Sequence, residues 1–236
     1  MTEMEKLKET NELRSKLISG AAHSLRTTIT NIRWTLQIFL DGDLGPINPE
    51  QKEYLEKLND QSEGAVKLLN ELLNIIHAEE LGEKKETSKI DLAISIDKII
   101  SQFKEVARKK GIKINFEREA LGPIKTEPKK IEFIVSNLID NALRYSEAGE
   151  IAIKMTKRAG DVQISVKDGG IGIPAADQAK IFDKFFRSEN AKKKENMGTG
   201  LGLHITKEMV ESLGGKIWFE SKENTGTTFY FALPLL

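Results

Sequence analysis

The feature that most limits what this chain can fold into is a pair of apolar heptads near its start. Ile18, Ala22, Leu25, Ile29, Ile32, Leu36 and Phe39 are spaced alternately four and three residues apart. That spacing lines up one apolar stripe along a helix, the seam of a bundle or coiled coil. A run of turn formers, Asp41-Gly42-Asp43-Leu44-Gly45-Pro46-Ile47-Asn48-Pro49, ends the stripe. A second seam follows in Leu55, Leu58, Ser62, Ala65, Leu69, Leu72 and Ile76. Two long amphipathic helices joined by a short loop make an antiparallel hairpin. One hairpin cannot shield both seams from water, so two copies are expected to pair as a four-helix bundle. The interface of that homodimer is residues 18–76. Met4, Leu7, Leu13 and Leu17 carry the helix further upstream and read as a connector to something missing.

Beyond the hairpin, Leu81 to Ser88 is polar and reads as a linker. The pattern then alternates between helix and strand periods. Leu92 to Val106, Lys129 to Tyr145 and Thr199 to Leu213 read as helices. Ile112–Phe116, Ile151–Met155, Val162–Val166, Ile217–Phe219 and Phe229–Leu233 read as strands, with a hairpin turn at Ala159-Gly160. Helices with an antiparallel-rich sheet give an α+β two-layer sandwich. The expected organisation is therefore residues 1–80 as the helical hairpin domain, 81–90 as linker and 91–236 as the sandwich.

Lys+Arg and Asp+Glu both number 36, leaving no basic surplus for a nucleic-acid partner. The absence of cysteine removes disulfide and thiol chemistry. No apolar run reaches 18 residues, so no membrane segment is expected in this chain. Its character is cytoplasmic, compatible with the soluble part of a membrane-bound parent.

His23 follows the seam residue Ala22 by one position and should face outward, with Thr27 four residues on sharing its face. By position alone it is an ordinary surface histidine. Four segments of the second domain carry further chemistry. In Asn137-Leu138-Ile139-Asp140-Asn141-Ala142-Leu143-Arg144-Tyr145-Ser146, the residues Asn137, Asn141, Arg144 and Tyr145 occupy adjoining helix faces. An amide oxygen there can complete a Mg²⁺ shell otherwise made of phosphate and water. Asp168-Gly169-Gly170-Ile171-Gly172-Ile173-Pro174 follows an apolar strand. Its carboxylate can accept a hydrogen bond from an exocyclic amine such as adenine N6, and its glycines permit a tight turn. Lys180 to Arg187 holds an aromatic cluster that, alone, reads as core. Gly198-Thr199-Gly200-Leu201-Gly202-Leu203 opens a helix, where backbone N–H groups can meet phosphate. No Gly-Lys-Ser/Thr follows, so it is not a P-loop. Ser188 to Met197, polar and rich in lysine, reads as a mobile lid.

Each segment alone is weak, but in this order and spacing they resemble the N, G1, F and G2 boxes of sensor histidine kinases. That family's ATP-binding domain has the Bergerat fold, shared with Hsp90-type and gyrase-type ATPases. Ala22-His23-Ser24-Leu25-Arg26-Thr27-Thr28-Ile29 is similar to the family's H box, and Gly226-Thr227-Thr228-Phe229 to its last hairpin. The resemblance runs from residue 15 to the end. It implies ATP and Mg²⁺ as cofactors, His23 as the phosphoacceptor and Asn141 as the metal ligand, with Asn137 beside it. It further implies that Arg144 and Tyr145 face phosphates and ribose, and that Asp168 holds adenine in a pocket shaped by Gly170 and Gly172. Gly198, Gly200 and Gly202, with Leu201 and Leu203 between and after them, would form the lid hinge on the phosphate side, and Thr228 a further nucleotide contact. The phosphate would pass to an aspartate on a response regulator receiver domain docked on the hairpin. Thr27 would position water for dephosphorylating that partner.

Two positions depart from the family pattern. Ser24 stands where the family places Glu or Asp, and Thr28 where it places proline. A hydroxyl can orient the imidazole but is no base near neutral pH, so autophosphorylation is expected to be slowed. Without the proline the helix keeps its backbone donor and is expected to be straighter. The alternative is a nucleotide-binding degenerate kinase acting as a scaffold or as a response-regulator phosphatase. His204 is read as structural or exposed.

Overall fold

The computed structural model describes residues 3–83, 87–195 and 198–235; of residues 3–17, 19, 23, 67, 68 and 70–83 it describes the helical backbone alone. The chain divides into two compact units that part between Glu80 and Leu81.

The first unit is α1 (Glu3–Leu40) and α2 (Pro49–Glu83). Pro49 opens α2, where its missing N–H is no loss. Asn48 and Gln51 cap it reciprocally: the Gln51 N–H donates to Asn48 Oδ1 at 2.8 Å, and the Asn48 N–H to Gln51 Oε1 at 2.9 Å. The α1 seam is half covered. Ala22 and Leu36 are 2% and 8% exposed, whereas Leu25, Ile32 and Phe39, seven residues apart, remain 51%, 48% and 38% exposed. Leu58 on α2 is likewise 49% exposed. Helix α1 runs unbroken through Thr28, whose hydroxyl donates back to the Ser24 carbonyl at 3.0 Å.

In the second unit, β1 (Ser88–Ile90) leads to α3 (Leu92–Lys109). The stretch 81–90, expected as linker, is thus helical up to Glu83 and a strand from Ser88. Three residues are too few to show strand periodicity, and this strand exists by pairing with a segment far along the chain. Asp91 caps α3, accepting from the Ala93 and Ile94 N–H groups at 2.8 and 3.1 Å. Next come β2 (Ile112–Arg118), β3 (Ile124–Thr126) and α4 (Pro128–Tyr145). They are followed by β4 (Gly149–Lys157), β5 (Asp161–Lys167), a short α5 (Glu189–Lys194), α6 (Gly202–Ser212), β6 (Lys216–Lys222) and β7 (Gly226–Pro234). The main sheet has the order β2-β4-β5-β7-β6, with only β2–β4 parallel; β1 and β3 form a separate two-stranded ribbon.

Helices α3, α4 and α6 lie on one side of that sheet. Alternate strand residues, Ile151, Ile153, Val162, Ile164 and Phe231 among them, are fully buried against Ile96, Ile134, Val135 and Leu138. The intervening strand residues form the outer face, where Trp218 and Tyr230 stack at 5.4 Å. The topology places the end of β5, the start of β7 and the end of α4 side by side, which is where the chemistry collects.

Candidate functional site

Asp168 is the residue immediately after β5 and continues that strand's inward-facing register. It is 7% exposed. Its Oδ1 accepts from the Gly170 N–H at 2.8 Å and from the Thr227 N–H at 3.3 Å. Among the described residues Oδ2 has no hydrogen-bond partner, so one oxygen is anchored and the other is presented for a donor. Burial pushes the carboxyl above the ordinary aspartate value of 3.8, and the two N–H donors pull against that rise. The turn folds onto the end of α4, where the Ile171 N–H donates to the Tyr145 carbonyl at 3.2 Å. A Cβ on Gly170 would lie 2.5 Å from that carbonyl oxygen, so only glycine fits. Gly172, at φ +63, presents its carbonyl to the Asn190 amide at 2.9 Å. Ser146, 3% exposed and next to Tyr145, buries a hydroxyl without a hydrogen-bond partner among the described residues.

Thr228, expected as a nucleotide contact, belongs to β7. It lies on the outer sheet face, paired with Lys167 and Glu220, because neighbouring strand residues point to opposite sides. Thr227 is the residue that meets Asp168, through its backbone N–H, and its hydroxyl lies 2.8 Å from that of Ser221. Thr227 was not among the expected site residues; the inward register of Phe229 and Phe231, carried back by two, finds it.

Helices α4 and α6 are tied at two levels. Lys130 Nζ donates to Ser212 Oγ at 3.0 Å, and Asn137 Nδ2 donates to Thr206 Oγ1 at 2.8 Å. Early α4 thus meets late α6, and the helices run antiparallel. Asn141, one turn beyond Asn137 on the same face, therefore stands past the N-terminus of α6. Leu201, the residue before α6, supplies no side-chain cap hydrogen bond among the described residues, and backbone N–H groups at a helix N-terminus can meet an anion. Among the described residues the Asn141 side chain makes no hydrogen bond, which fits a metal-bound amide oxygen. Arg144 Nε sits 2.7 Å from Asp140 Oδ2. Leu201 is buried, and Leu203 and Gly198 are half-buried. The Phe185 N–H donates to the Gly200 carbonyl at 3.1 Å, joining the aromatic segment to the hinge.

The segment expected as a mobile lid holds the short helix α5 in its first half. Ser188 Oγ donates to Asn190 Oδ1 at 2.6 Å, and the Asn190 amide grips the Gly172 carbonyl at 2.9 Å. Lys194 pairs with Glu147 just past α4, holding that carboxyl below its ordinary range. Asn196 and Met197 lie outside the described residues. His204 is structural: a ring nitrogen lies 2.9 Å from the Phe182 carbonyl. In the hairpin, Ser24 and Thr27 are exposed on α1. His23 is helical in backbone, and its side chain lies outside the described residues.

A five-stranded sheet backed by three helices, with a buried turn carboxylate at the end of β5 and a glycine-rich turn opening α6, defines an ATP-binding domain of the Bergerat class, here preceded by a helical hairpin. Residues 126–236 match the family described as "Histidine kinase-, DNA gyrase B-, and HSP90-like ATPase", and residues 13–80 match the "His Kinase A (phospho-acceptor) domain". The sensor histidine kinase WalK of Bacillus subtilis (strain 168) is 33% identical over 99% of this chain. The crystallised catalytic domain of the histidine kinase ThkA is 32% identical at a TM-score of 0.56, over 64% of this chain and 98% of that domain. Full-length ShkA in complex with AMPPNP, 22% identical, shares the fold at a TM-score of 0.67 over 93% of this chain and 45% of its own. The chain belongs to the sensor histidine kinase family. It spans 38% of the length of WalK.

Proposed function

We propose that this chain is a protein-histidine kinase core that binds Mg·ATP in its second unit, phosphorylates His23 and passes the phosphate to a response-regulator aspartate. The observation that carries the reading is the Asp168 carboxylate, with Oδ1 anchored by two backbone donors and Oδ2 open. An open acceptor at a buried turn suits the exocyclic amine of adenine. AMPPNP bound to ShkA, which shares the fold, supports the same ligand class. The triphosphate would run from Asp168 toward the N-terminus of α6, with Asn141 holding Mg²⁺ and Arg144 and the hinge glycines flanking it. Mg²⁺ would neutralise charge on the transferring phosphoryl group. A neutral imidazole nitrogen of His23 would form the new P–N bond as the bond to the ADP oxygen breaks, and the proton on the other ring nitrogen would leave to solvent. Ser24 orients the ring without taking its proton, and Thr27 lies on the same helix face.

The half-covered seam of Leu25, Ile32 and Phe39 supports a homodimer through residues 18–76, since a second copy would bury it. The domains are taken as 1–80 and 91–236 around a short junction. No helix among the described residues is long and apolar enough to cross a membrane. A sensor domain upstream and a receiver domain docked on the hairpin complete the reading. Ser24 favours a second reading, a nucleotide-binding scaffold or regulator phosphatase with little kinase activity.

The test is incubation with γ-labelled Mg·ATP beside a His23→Ala control. Acid-labile, base-stable label that vanishes in the variant establishes the kinase. Tight ATP binding without label moves the assignment to the second reading. Failure to bind ATP refutes the site.

A further inference from the structure

We propose that Asn137 is a positioning residue: it clamps the first turn of α6, and with it the lid hinge, against α4, and it touches neither nucleotide nor metal. This rests on the ATP-binding reading above and reassigns a residue that the family resemblance had placed beside the metal.

Three observations converge on it. The Asn137 Nδ2 donates to Thr206 Oγ1 at 2.8 Å, and Thr206 Oγ1 in turn donates to the Gly202 carbonyl at 2.8 Å. The amide of α4 is thus linked through one hydroxyl to the first residue of α6. Thr206 is completely buried, so no water competes for its hydroxyl. Finally, a Cβ on Gly202 would stand 2.5 Å from Asn137 Oδ1. The third glycine of the hinge thus packs against a protein side chain, and the Asn137 amide is held by its nitrogen on Thr206 while its oxygen lies against Gly202. Asn141, one turn on, has no such commitment. The two asparagines divide the work: one sets where the helix N-terminus stands, and the other faces what binds there.

The consequence is that Thr206, remote from any ligand atom in this reading, controls ATP affinity as strongly as Asn137 does. ATP binding is measured by calorimetry on the full chain for wild type, Asn137→Ala, Thr206→Val, Thr206→Ser and the Asn137→Ala/Thr206→Val double variant, at saturating and at titrated Mg²⁺. Hydrogen exchange is followed across 198–204. The clamp predicts that Asn137→Ala and Thr206→Val each weaken ATP about tenfold, the worth of one well-made buried hydrogen bond. The double variant is no weaker than either single one. Thr206→Ser restores affinity, the Mg²⁺ midpoint stays at its wild-type value, and exchange across the hinge rises in both singles.

If Asn137→Ala moves the Mg²⁺ midpoint while Thr206→Val binds as wild type, Asn137 is a ligand and the proposal fails. Lower melting temperatures with unchanged ATP affinity and hinge exchange reduce the pair to ordinary packing and also overturn it. If wild type itself binds no ATP, the nucleotide reading fails, and hinge exchange in the two variants still decides whether Asn137 holds the turn.

Discussion

Replacing Asp168 by asparagine separates the two jobs of its carboxylate. Oδ1 already accepts from Gly170 and Thr227. An asparagine keeps those bonds by turning its own oxygen to the same place, which puts an NH₂ where Oδ2 was. A donor then faces the adenine amine, itself a donor. The charge-assisted bond lost is worth about 1.5–3 kcal/mol, so ATP affinity should fall by about ten- to a hundredfold. The fold should not suffer. Burial raises the carboxyl pKa, so the ionised side chain costs stability at neutral pH, and that cost fades as pH falls through the raised folded value. The Asn variant should thus be at least as stable as wild type at neutral pH, with the difference shrinking in acid. Calorimetry with inosine triphosphate adds a control of opposite sign, because its 6-oxo group accepts from the new NH₂ and should bind the variant better than wild type does. Wild-type ATP binding should weaken in acid beginning above pH 3.8, and that limb should be absent in the variant. Unchanged ATP affinity in Asp168→Asn, or no reversal with inosine triphosphate, would refute the adenine assignment.

Ile32→Asp puts a carboxylate on the open half of the hairpin seam, and light scattering should then read the mass of one chain instead of two. Persistence of the dimer would place its interface elsewhere. Lys130→Ala leaves Glu127 ionised and buried, since the pair is only 4% and 8% exposed at 3.0 Å. Urea unfolding should show a loss of about 3–5 kcal/mol, whereas Glu127→Gln combined with Lys130→Met should come close to wild type. Ser24→Glu supplies an acceptor beside His23 that can draw off the ring proton. His23 labelling should accelerate by about a hundredfold or more, the low end of general base catalysis, and no increase would mean that Ser24 does not limit the rate.

The long hairpin was legible because two heptads and a turn-rich break admit little else. The sandwich strands were legible from apolar alternation, even the short Ile217–Phe219, which reads as the mate of Phe229–Leu233. The ribbon of Ser88–Ile90 with Ile124–Thr126 was not, because its only signal is pairing across a gap in sequence. Thr228 was chosen over Thr227 because two adjacent threonines look alike until the strand's inward register is known. The short helix in the segment expected as a mobile lid was not legible, because Asn190 gives no sign in sequence that its partner is a carbonyl eighteen residues earlier.

The glycine boxes invite a reading in which each glycine makes room for nucleotide, yet at three of them a side chain would already meet protein atoms. Gly170 clears the Tyr145 carbonyl, Gly202 clears the Asn137 amide, and Gly226 clears the Asp168 carbonyl. Those three contacts join the end of α4 to the Asp168 turn, α4 to the hinge, and the Asp168 turn to the start of β7. Each of these three glycines answers to a residue of another segment, so the motif is a set of mutual packing constraints as much as a ligand signature. Loss of one glycine should therefore disturb a neighbouring segment before it disturbs the ligand. In Gly202→Ala the new methyl pushes Asn137 off Thr206, and hydrogen exchange should rise around 137 and 206 in the ATP-free protein. A defect seen only when ATP is present would mean that the glycine serves the nucleotide directly.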